Sequence, residues 1–282
     1  MDVIRRNNVK VIGSQGPALV FAHGFGCSQG MWSRVAPAFA HTHRLVLFDY
    51  VGSGASDLAA FDARRYADLG GYAQDLIEVC DTLGLHGDIT LVAHSVSCSI
   101  GWLAGIAHPG RFSRMLLLGP NPCFLNHPPA YHGGFEREDL QGLLDLMDQN
   151  YIGWARTLAP VVAGSAAASL SGSGSDDVHG RVSGELADSF CSTDPLAAKV
   201  FAHATFFADS RADLPRVRCP SLILQHRHDA LAPLAVADYL LAHLPGSQLQ
   251  VLDVAGHCAH LSHPELVIDA LRRYLPAALP TG

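Results

Sequence analysis

The chain has 282 residues, enough for one large domain or for a domain with an insertion. Because 49% of its residues are hydrophobic and only 16% are charged, it can bury a sizeable core, and global disorder is excluded. The net charge of −7 argues against a nucleic-acid partner, since a duplex is bound through a basic face that releases its counterions.

Short apolar runs along the chain predict the strands of a mostly parallel sheet. They are apolar on both faces rather than alternating, which is typical of parallel strands covered by helices. Helical patterns lie between them at residues 72–83, 234–244 and 264–275. This alternation predicts a doubly wound α/β fold. The runs cover residues 18–22, 44–50, 89–93, 115–118, 221–225 and 249–252.

The alternation of strands and helices breaks between about residues 125 and 211. No strand pattern appears there, and the helical stretches 138–150 and 195–207 belong to a segment rich in aromatic side chains. We interpret this segment as a helical cap, or lid, inserted into the sheet domain.

The insertion predicts a discontinuous sheet domain. We expect residues 1–125 and 211–282 to form the α/β core and residues 126–210 to form the cap. Within the cap, residues 163–184 are rich in Ala, Ser and Gly, and this composition predicts a flexible loop.

Ser95 lies where a predicted buried strand ends and a helical pattern begins. A nucleophile elbow needs such a sharp turn, with small residues two positions before and after the serine. The usual G-x-S-x-G motif reads Ala93-His94-Ser95-Val96-Ser97 here, so the turn stays sterically possible. Glycine at positions 93 and 97 is expected to keep or raise turnover. The alternative is that Ser95 only caps a helix.

A serine nucleophile needs a base and a site for the oxyanion. His257 follows the last predicted strand, and Asp229 follows the strand before it. The order Ser95, Asp229, His257 along the chain is that of α/β hydrolases. The amides of Phe25, in a His-Gly-Phe-Gly turn, and of Val96 are the candidate oxyanion donors.

A set of motifs covers nearly the whole chain, including the predicted cap. It comprises residues 6–11, 23–27, 35–39, 47–54, 119–123, 150–155, 190–195 and 256–260. In these motifs the chain resembles the α/β-hydrolase superfamily, and more closely the RsbQ-like group. That group includes the bacterial stress-signalling hydrolase RsbQ and, more distantly, the plant strigolactone and karrikin receptors.

The resemblance implies a Ser-His-Asp triad under a four-helix cap with an apolar pocket. It assigns the triad to Ser95, Asp229 and His257, and the oxyanion amides to Phe25 and Val96. Candidate pocket walls, which would bind the substrate, are Phe124, Trp154 and Phe190, and we add Phe201, another aromatic of the cap.

The expected reaction is hydrolysis of a small apolar ester or lactone through an acyl-enzyme on Ser95, and it requires no metal or organic cofactor. A perhydrolase, a haloperoxidase or a C–C hydrolase would share the same triad. A second hypothesis is a small-molecule sensor that acts mainly through a signalling protein partner, as RsbQ does in stress signalling.

Two other motifs are typical of different enzyme classes. The histidine-rich motifs at residues 226–229 and 257–263 offer ligands for a metallohydrolase. Residues 52–57 begin like a dinucleotide-binding G-x-G-x-x-G motif, but the third glycine position is Asp57.

The sequence carries no membrane or export signal that we recognise. Residues 1–8 lack the apolar run of a signal peptide, and no apolar stretch approaches the roughly 20 residues that span a bilayer. The seven cysteines include no C-x-x-C pair and are interpreted as small buried side chains with free thiols. We therefore expect a cytoplasmic protein without membrane contact.

Overall fold

One seven-stranded sheet forms the centre of the computed structural model, which describes residues 2–165 and 176–276. Its strands are β1 (Lys10–Ile12), β2 (Ala18–Ala22), β3 (Arg44–Leu47), β4 (Ile89–His94), β5 (Phe112–Leu118), β6 (Ser221–His228) and β7 (Ser247–Ala255). Their order is β1-β3-β2-β4-β5-β6-β7; β1 pairs antiparallel with β3, and the other neighbours are parallel. The predicted doubly wound, mostly parallel sheet is confirmed.

Helices cover both faces of this sheet. They are α1 (Val3–Arg6), α2 (Leu69–Thr82), α3 (Val96–Ala107), α8 (Leu234–His243), α9 (Ala259–Ser262) and α10 (Pro264–Tyr274). The sequence missed β1, because its three residues are exposed at the sheet edge and show no apolar pattern. In the part of the chain described, no helix is both long and apolar enough to cross a membrane.

The core consists of two layers of buried side chains, one on each face of the sheet. Alternate residues of a strand point to opposite faces, so Leu19 and Phe21 of β2 pack in one layer while Val20 and Ala22 pack in the other. Both faces of the strand are therefore covered, which explains the continuous apolar runs in the sequence.

The parallel register brings the carboxyl ends of the central strands to one edge. Ala22 of β2 pairs with Ala93 of β4, and His94 of β4 pairs with Leu118 of β5. Loops that follow these strands therefore meet above the same edge, where ligands bind in doubly wound sheets.

In the described part of the cap, four helices lie between β5 and β6: α4 (Arg137–Gln149), α5 (Tyr151–Ala163), α6 (Asp176–Ser192) and α7 (Pro195–Phe206). The helical insertion is confirmed, whereas the division of the chain at residues 126 and 210 stays a prediction. The loop predicted over 163–184 is wrong for residues 176–184, which belong to α6; residues 166–175 lie outside those described. Val182, Leu186 and Phe190 are buried at helical spacing, and this packing overrides the local composition.

Candidate active site

Ser95 stands at the turn from β4 into α3 with a strained backbone. Its φ of +57° and ψ of −125° are unusual for a residue other than glycine. The Ser95 amide is fixed by donating a 2.9 Å hydrogen bond to the Leu118 carbonyl. The Ser95 side chain makes no capping hydrogen bond to the helix, so helix capping does not explain the serine at this turn.

His257 and Asp229 form a buried pair at the same edge. His257 Nδ1 lies 2.7 Å from Asp229 Oδ2. The other carboxylate oxygen, Oδ1, accepts hydrogen bonds from the Leu231 and Ala232 amides at 2.8 and 3.1 Å. His257 Nε2 is buried and, within the described residues, has no hydrogen-bond partner. The imidazole is thus held through Nδ1, which leaves Nε2 free to accept a proton.

The charge state of Asp229 follows from its neighbours. Burial by itself would raise the pKa of Asp229, but the charge of His257, the His226 imidazole 3.4 Å from Oδ2 and the hydrogen bond from His257 outweigh it and hold the pKa below its ordinary value. Asp229 is therefore an ionised carboxylate at neutral pH.

Two hydrogen bonds to its backbone hold the loop that carries His257. His94 Nε2 donates a 3.0 Å hydrogen bond to the His257 carbonyl. Burial lowers the pKa of His94 well below its usual value, so this imidazole is neutral. The His257 amide donates a 2.7 Å hydrogen bond to the carbonyl of Val162, in cap helix α5. The loop is therefore anchored both to the residue before Ser95 and to the cap.

The backbone N–H groups of the two candidate oxyanion donors, Phe25 and Val96, have no hydrogen-bond acceptor in the described part of the chain. Neither the Phe25 nor the Val96 amide donates a hydrogen bond to another group in residues 2–165 and 176–276. Val96 is the first residue of α3, where backbone N–H groups have no partner within the helix and the helix dipole favours an anion. Both amides are free to bind an oxyanion.

Ser97, at a glycine position of the usual motif, makes specific hydrogen bonds. Its Oγ donates to the His23 carbonyl and lies 3.1 Å from the Tyr50 hydroxyl. All three residues are fully buried. Ser97 thus ties the start of α3 to the turn that carries Phe25, and this structural role conflicts with the expectation that glycine there keeps or raises turnover.

Ser95 and His257 share a small enclosed cavity of about 30 Å³, which is enough to hold a water molecule. Apart from the catalytic candidates its walls are mostly apolar. The cavity is lined by Phe25, Cys27, His94, Ser95, Phe124, Leu158, Val162, Phe190, Thr205, Phe206, Leu231, His257 and Cys258.

Two of the four predicted aromatic walls reach this cavity. Phe124 and Phe190 line it. Trp154 and Phe201 are not among the lining residues. Instead they pack against Phe25, which lines the cavity, with ring centroids 6.0 and 5.6 Å from its ring. Helical spacing in the sequence does not show which face of a cap helix points to the sheet.

Thr205 is a cavity residue that the sequence did not reveal. It lies in α7, is 2% exposed, and its Oγ1 has no hydrogen-bond partner in the described part of the chain. A buried hydroxyl without a partner costs free energy, so its placement at a cavity wall suggests a ligand contact. A single threonine in a helical pattern carries no signal that would have indicated this.

The structure does not assemble the metal site that the sequence offered as an alternative. Among the described residues, two groups bring three ligand atoms within 4.8 Å of one another: His94, Cys258 and His260, and separately Cys123, His127 and Asp209. Neither group is the set expected from residues 226–229 and 257–263.

The dinucleotide motif lacks its helix as well. Residues 52–57 form a turn that leads into a three-residue 3₁₀ helix, Leu58–Ala60. The Ala55 amide donates a 3.0 Å hydrogen bond to Asp49, so the turn is bound to the protein's own carboxylate rather than presented to a phosphate.

The sheet topology and a serine at a strained strand-to-helix turn define a hydrolase of the α/β type. The chain belongs to the Alpha/beta hydrolase family, whose sequence pattern matches residues 19–270.

Relatives share nearly the whole chain. Strigolactone esterase RMS3 of Pisum sativum is 36% identical over 265 residues, which cover 94% of this chain and 94% of that one. Karrikin insensitive 2 receptor CA of Petunia hybrida is 34% identical over 270 residues, 95% of each chain. The structure of a hydrolase from Oleispira antarctica has a TM-score of 0.90 and 42% identity, over 97% of this chain and 96% of that one. The resemblance to the strigolactone and karrikin receptors is confirmed.

Proposed function

We propose that this protein is a serine hydrolase that cleaves a small apolar ester or lactone through an acyl-enzyme on Ser95. One observation carries the proposal: the strained Ser95 shares an enclosed cavity with His257, whose Nε2 has no hydrogen-bond partner in the described residues. This arrangement provides a nucleophile and a base that face the same small space.

In the proposed mechanism His257 Nε2 accepts the Ser95 hydroxyl proton as the oxygen attacks the substrate carbonyl. Asp229 holds His257 in the required tautomer and stabilises the imidazolium. The Phe25 and Val96 amides bind the oxyanion, and each such donor is worth about 10²–10³ in rate. His257 then gives the proton to the leaving alcohol, and later activates the water that releases the acid from Ser95.

The cavity also indicates the substrate. The mostly apolar walls indicate a small apolar substrate, and because the space is only about 30 Å³, the cap would have to open for an ester to enter. The unpartnered Thr205 hydroxyl can donate a hydrogen bond to a second substrate oxygen, such as a ring oxygen or an ether.

The direct test is hydrolysis of p-nitrophenyl acetate by Ser95→Ala. We expect kcat/KM to fall by about 10⁴-fold or more. Ser99→Ala changes another buried serine, one turn further along α3, and should keep wild-type activity. Equal activity of Ser95→Ala and wild type would refute the nucleophile.

A sensor acting through a protein partner is the second candidate, and one contact favours it. The His257 amide donates to Val162 of α5, and a side chain at Gly256 would collide with the Ala163 carbonyl. Movement of the cap would therefore displace the loop that carries His257, and a change in that loop would in turn displace the cap. Hydrogen exchange along α5 should change upon phosphonylation of Ser95 if the protein signals through its cap, and stay unchanged if it acts only as an enzyme.

A further inference from the structure

Three metal-binding side chains meet outside the active site, where the chain enters and leaves the cap. Cys123 and His127 lie on the segment from β5 to α4, and Asp209 lies on the segment from α7 to β6. Their ligand atoms lie within 4.8 Å of one another. We propose that Cys123, His127 and Asp209 bind a Zn²⁺ ion that joins the two connections between the sheet and the cap.

The backbone holds these three residues in place. Cys123 and Asp209 form an isolated antiparallel bridge. The Tyr131 hydroxyl donates a 2.7 Å hydrogen bond to the Cys123 carbonyl, and the His127 amide donates a 2.9 Å hydrogen bond to the Tyr131 carbonyl. The positions of the ligands are thus set by the fold before any ion binds, which reduces the entropy lost on binding.

The distances fit zinc. Cys123 Sγ lies 3.6 Å from His127 Nε2. In a tetrahedral site with Zn–S of about 2.3 Å and Zn–N of about 2.05 Å, a sulfur and a nitrogen ligand are about 3.6 Å apart. Two ligands therefore already have the required spacing. His127 and Asp209 are exposed, so their side chains can adjust and an ion can reach the site from solvent.

The charges fit a cation as well. The Arg211 guanidinium hydrogen bonds to both Asp209 oxygens and holds the pKa of that carboxyl below its ordinary value, so Asp209 is ionised. One oxygen can turn to the metal while Arg211 keeps the other as an outer-shell partner. Burial raises the pKa of the Cys123 thiol, so zinc displaces its proton to solvent as the Zn–S bond forms.

The test is calorimetric titration of the full-length, chelator-treated protein with Zn²⁺ alone. Wild type should bind about one equivalent, and Cys123→Ser, His127→Gln and Asp209→Asn should each bind at least about tenfold more weakly. Zinc should raise the melting temperature of the wild type but not of these variants. Circular dichroism checks that each variant is folded; His127 and Asp209 are surface residues, so their variants keep the test valid if Cys123→Ser misfolds.

Two controls separate this site from other histidines and cysteines. Cys258→Ser removes a ligand of the buried group beside the active site, and His132→Gln removes an exposed histidine of the same loop. Both should bind zinc as the wild type does. Co²⁺ should give a thiolate charge-transfer band that Cys123→Ser lacks. The proposal would be overturned if the wild type failed to bind zinc, or if all three ligand variants bound zinc as tightly as the wild type.

Discussion

The sheet edge and the cap contribute different groups to one cavity. The edge supplies Ser95, His257 and the Phe25 amide, all fixed by strand ends and buried hydrogen bonds. The cap supplies mainly apolar side chains from α5, α6 and α7, with Thr205 as its hydroxyl. This difference separates reactivity from selectivity, so changes at the edge should alter rate far more than changes in the cap.

After the loss of Ser95 itself, the largest effect at the edge is expected from Asp229→Asn. The amide keeps the size of the side chain but removes the charge that stabilises the imidazolium and favours the wrong tautomer of His257. We expect kcat to fall by about 10⁴-fold. Steady-state kinetics with p-nitrophenyl acetate measure this. The control Asp253→Asn, which changes an exposed carboxylate in β7, should leave kcat unchanged.

Ser97→Gly should have the next largest effect. The change removes the hydroxyl that hydrogen bonds to the buried His23 carbonyl and Tyr50 hydroxyl. Each buried group left without a partner costs about 1–3 kcal/mol of folding free energy. We expect kcat/KM to fall at least about tenfold. Ala93→Gly, which leaves these hydrogen bonds intact, is the matched control. A Ser97→Gly enzyme as fast as wild type would show that catalysis does not need the Ser97 hydrogen bonds.

The buried side chain of His260 should make the folding stability of the protein depend on pH. Burial, and then charges on His226, His257 and Arg34, lower its pKa well below the usual 6.5, and its ring lies 4.5 Å from that of His94. The unfolded chain takes up a proton at this position as pH falls below about 6.5, whereas the folded chain does not. Folding stability is therefore lost as the pH drops below that value.

Each such histidine contributes up to about 1.4 kcal/mol per pH unit to this loss. Urea unfolding at a series of pH values between about 7.5 and 5.5 should show a shallower loss for His260→Gln than for wild type. His41→Gln, at an exposed histidine, should keep the wild-type slope. Identical slopes for wild type and His260→Gln would contradict the assignment of a neutral buried imidazole.

The smallest effect is expected in the cap. Thr205→Val keeps the shape of the side chain and removes its hydroxyl, so it should lower kcat/KM about two- to tenfold for a lactone and less for a substrate without a second polar oxygen. Comparing the two substrate classes separates a binding contact from a packing effect. An equal change for both classes would show that Thr205 only packs against its neighbours.

The sequence revealed the edge better than the cap, for a physical reason. Ser95, Asp229 and His257 each follow a strand of the parallel sheet, and parallel strands place their carboxyl ends together whatever the rest of the fold does. The walls depend on how the cap helices and the segment that leads into them are oriented, so Phe124 and Phe190 line the cavity while equally aromatic residues at other positions do not.

Other features could not be read from residue patterns either. The hydrogen bond from His257 to Val162 joins backbone groups far apart in the chain, and backbone groups carry no sequence signal. Helix α6 formed in a stretch whose composition predicted a loop, because its buried face decides the outcome. Such features depend on tertiary packing, which local propensity does not encode.

As the proposed nucleophile, Ser95 should become covalently modified by an electrophilic probe. Intact-mass spectrometry after treatment with a fluorophosphonate probe tests it most directly. We expect a single adduct on the wild-type protein, located on Ser95 by peptide mapping, and none on Ser95→Ala. An unlabelled wild type, or an adduct that persists in Ser95→Ala, would contradict the account.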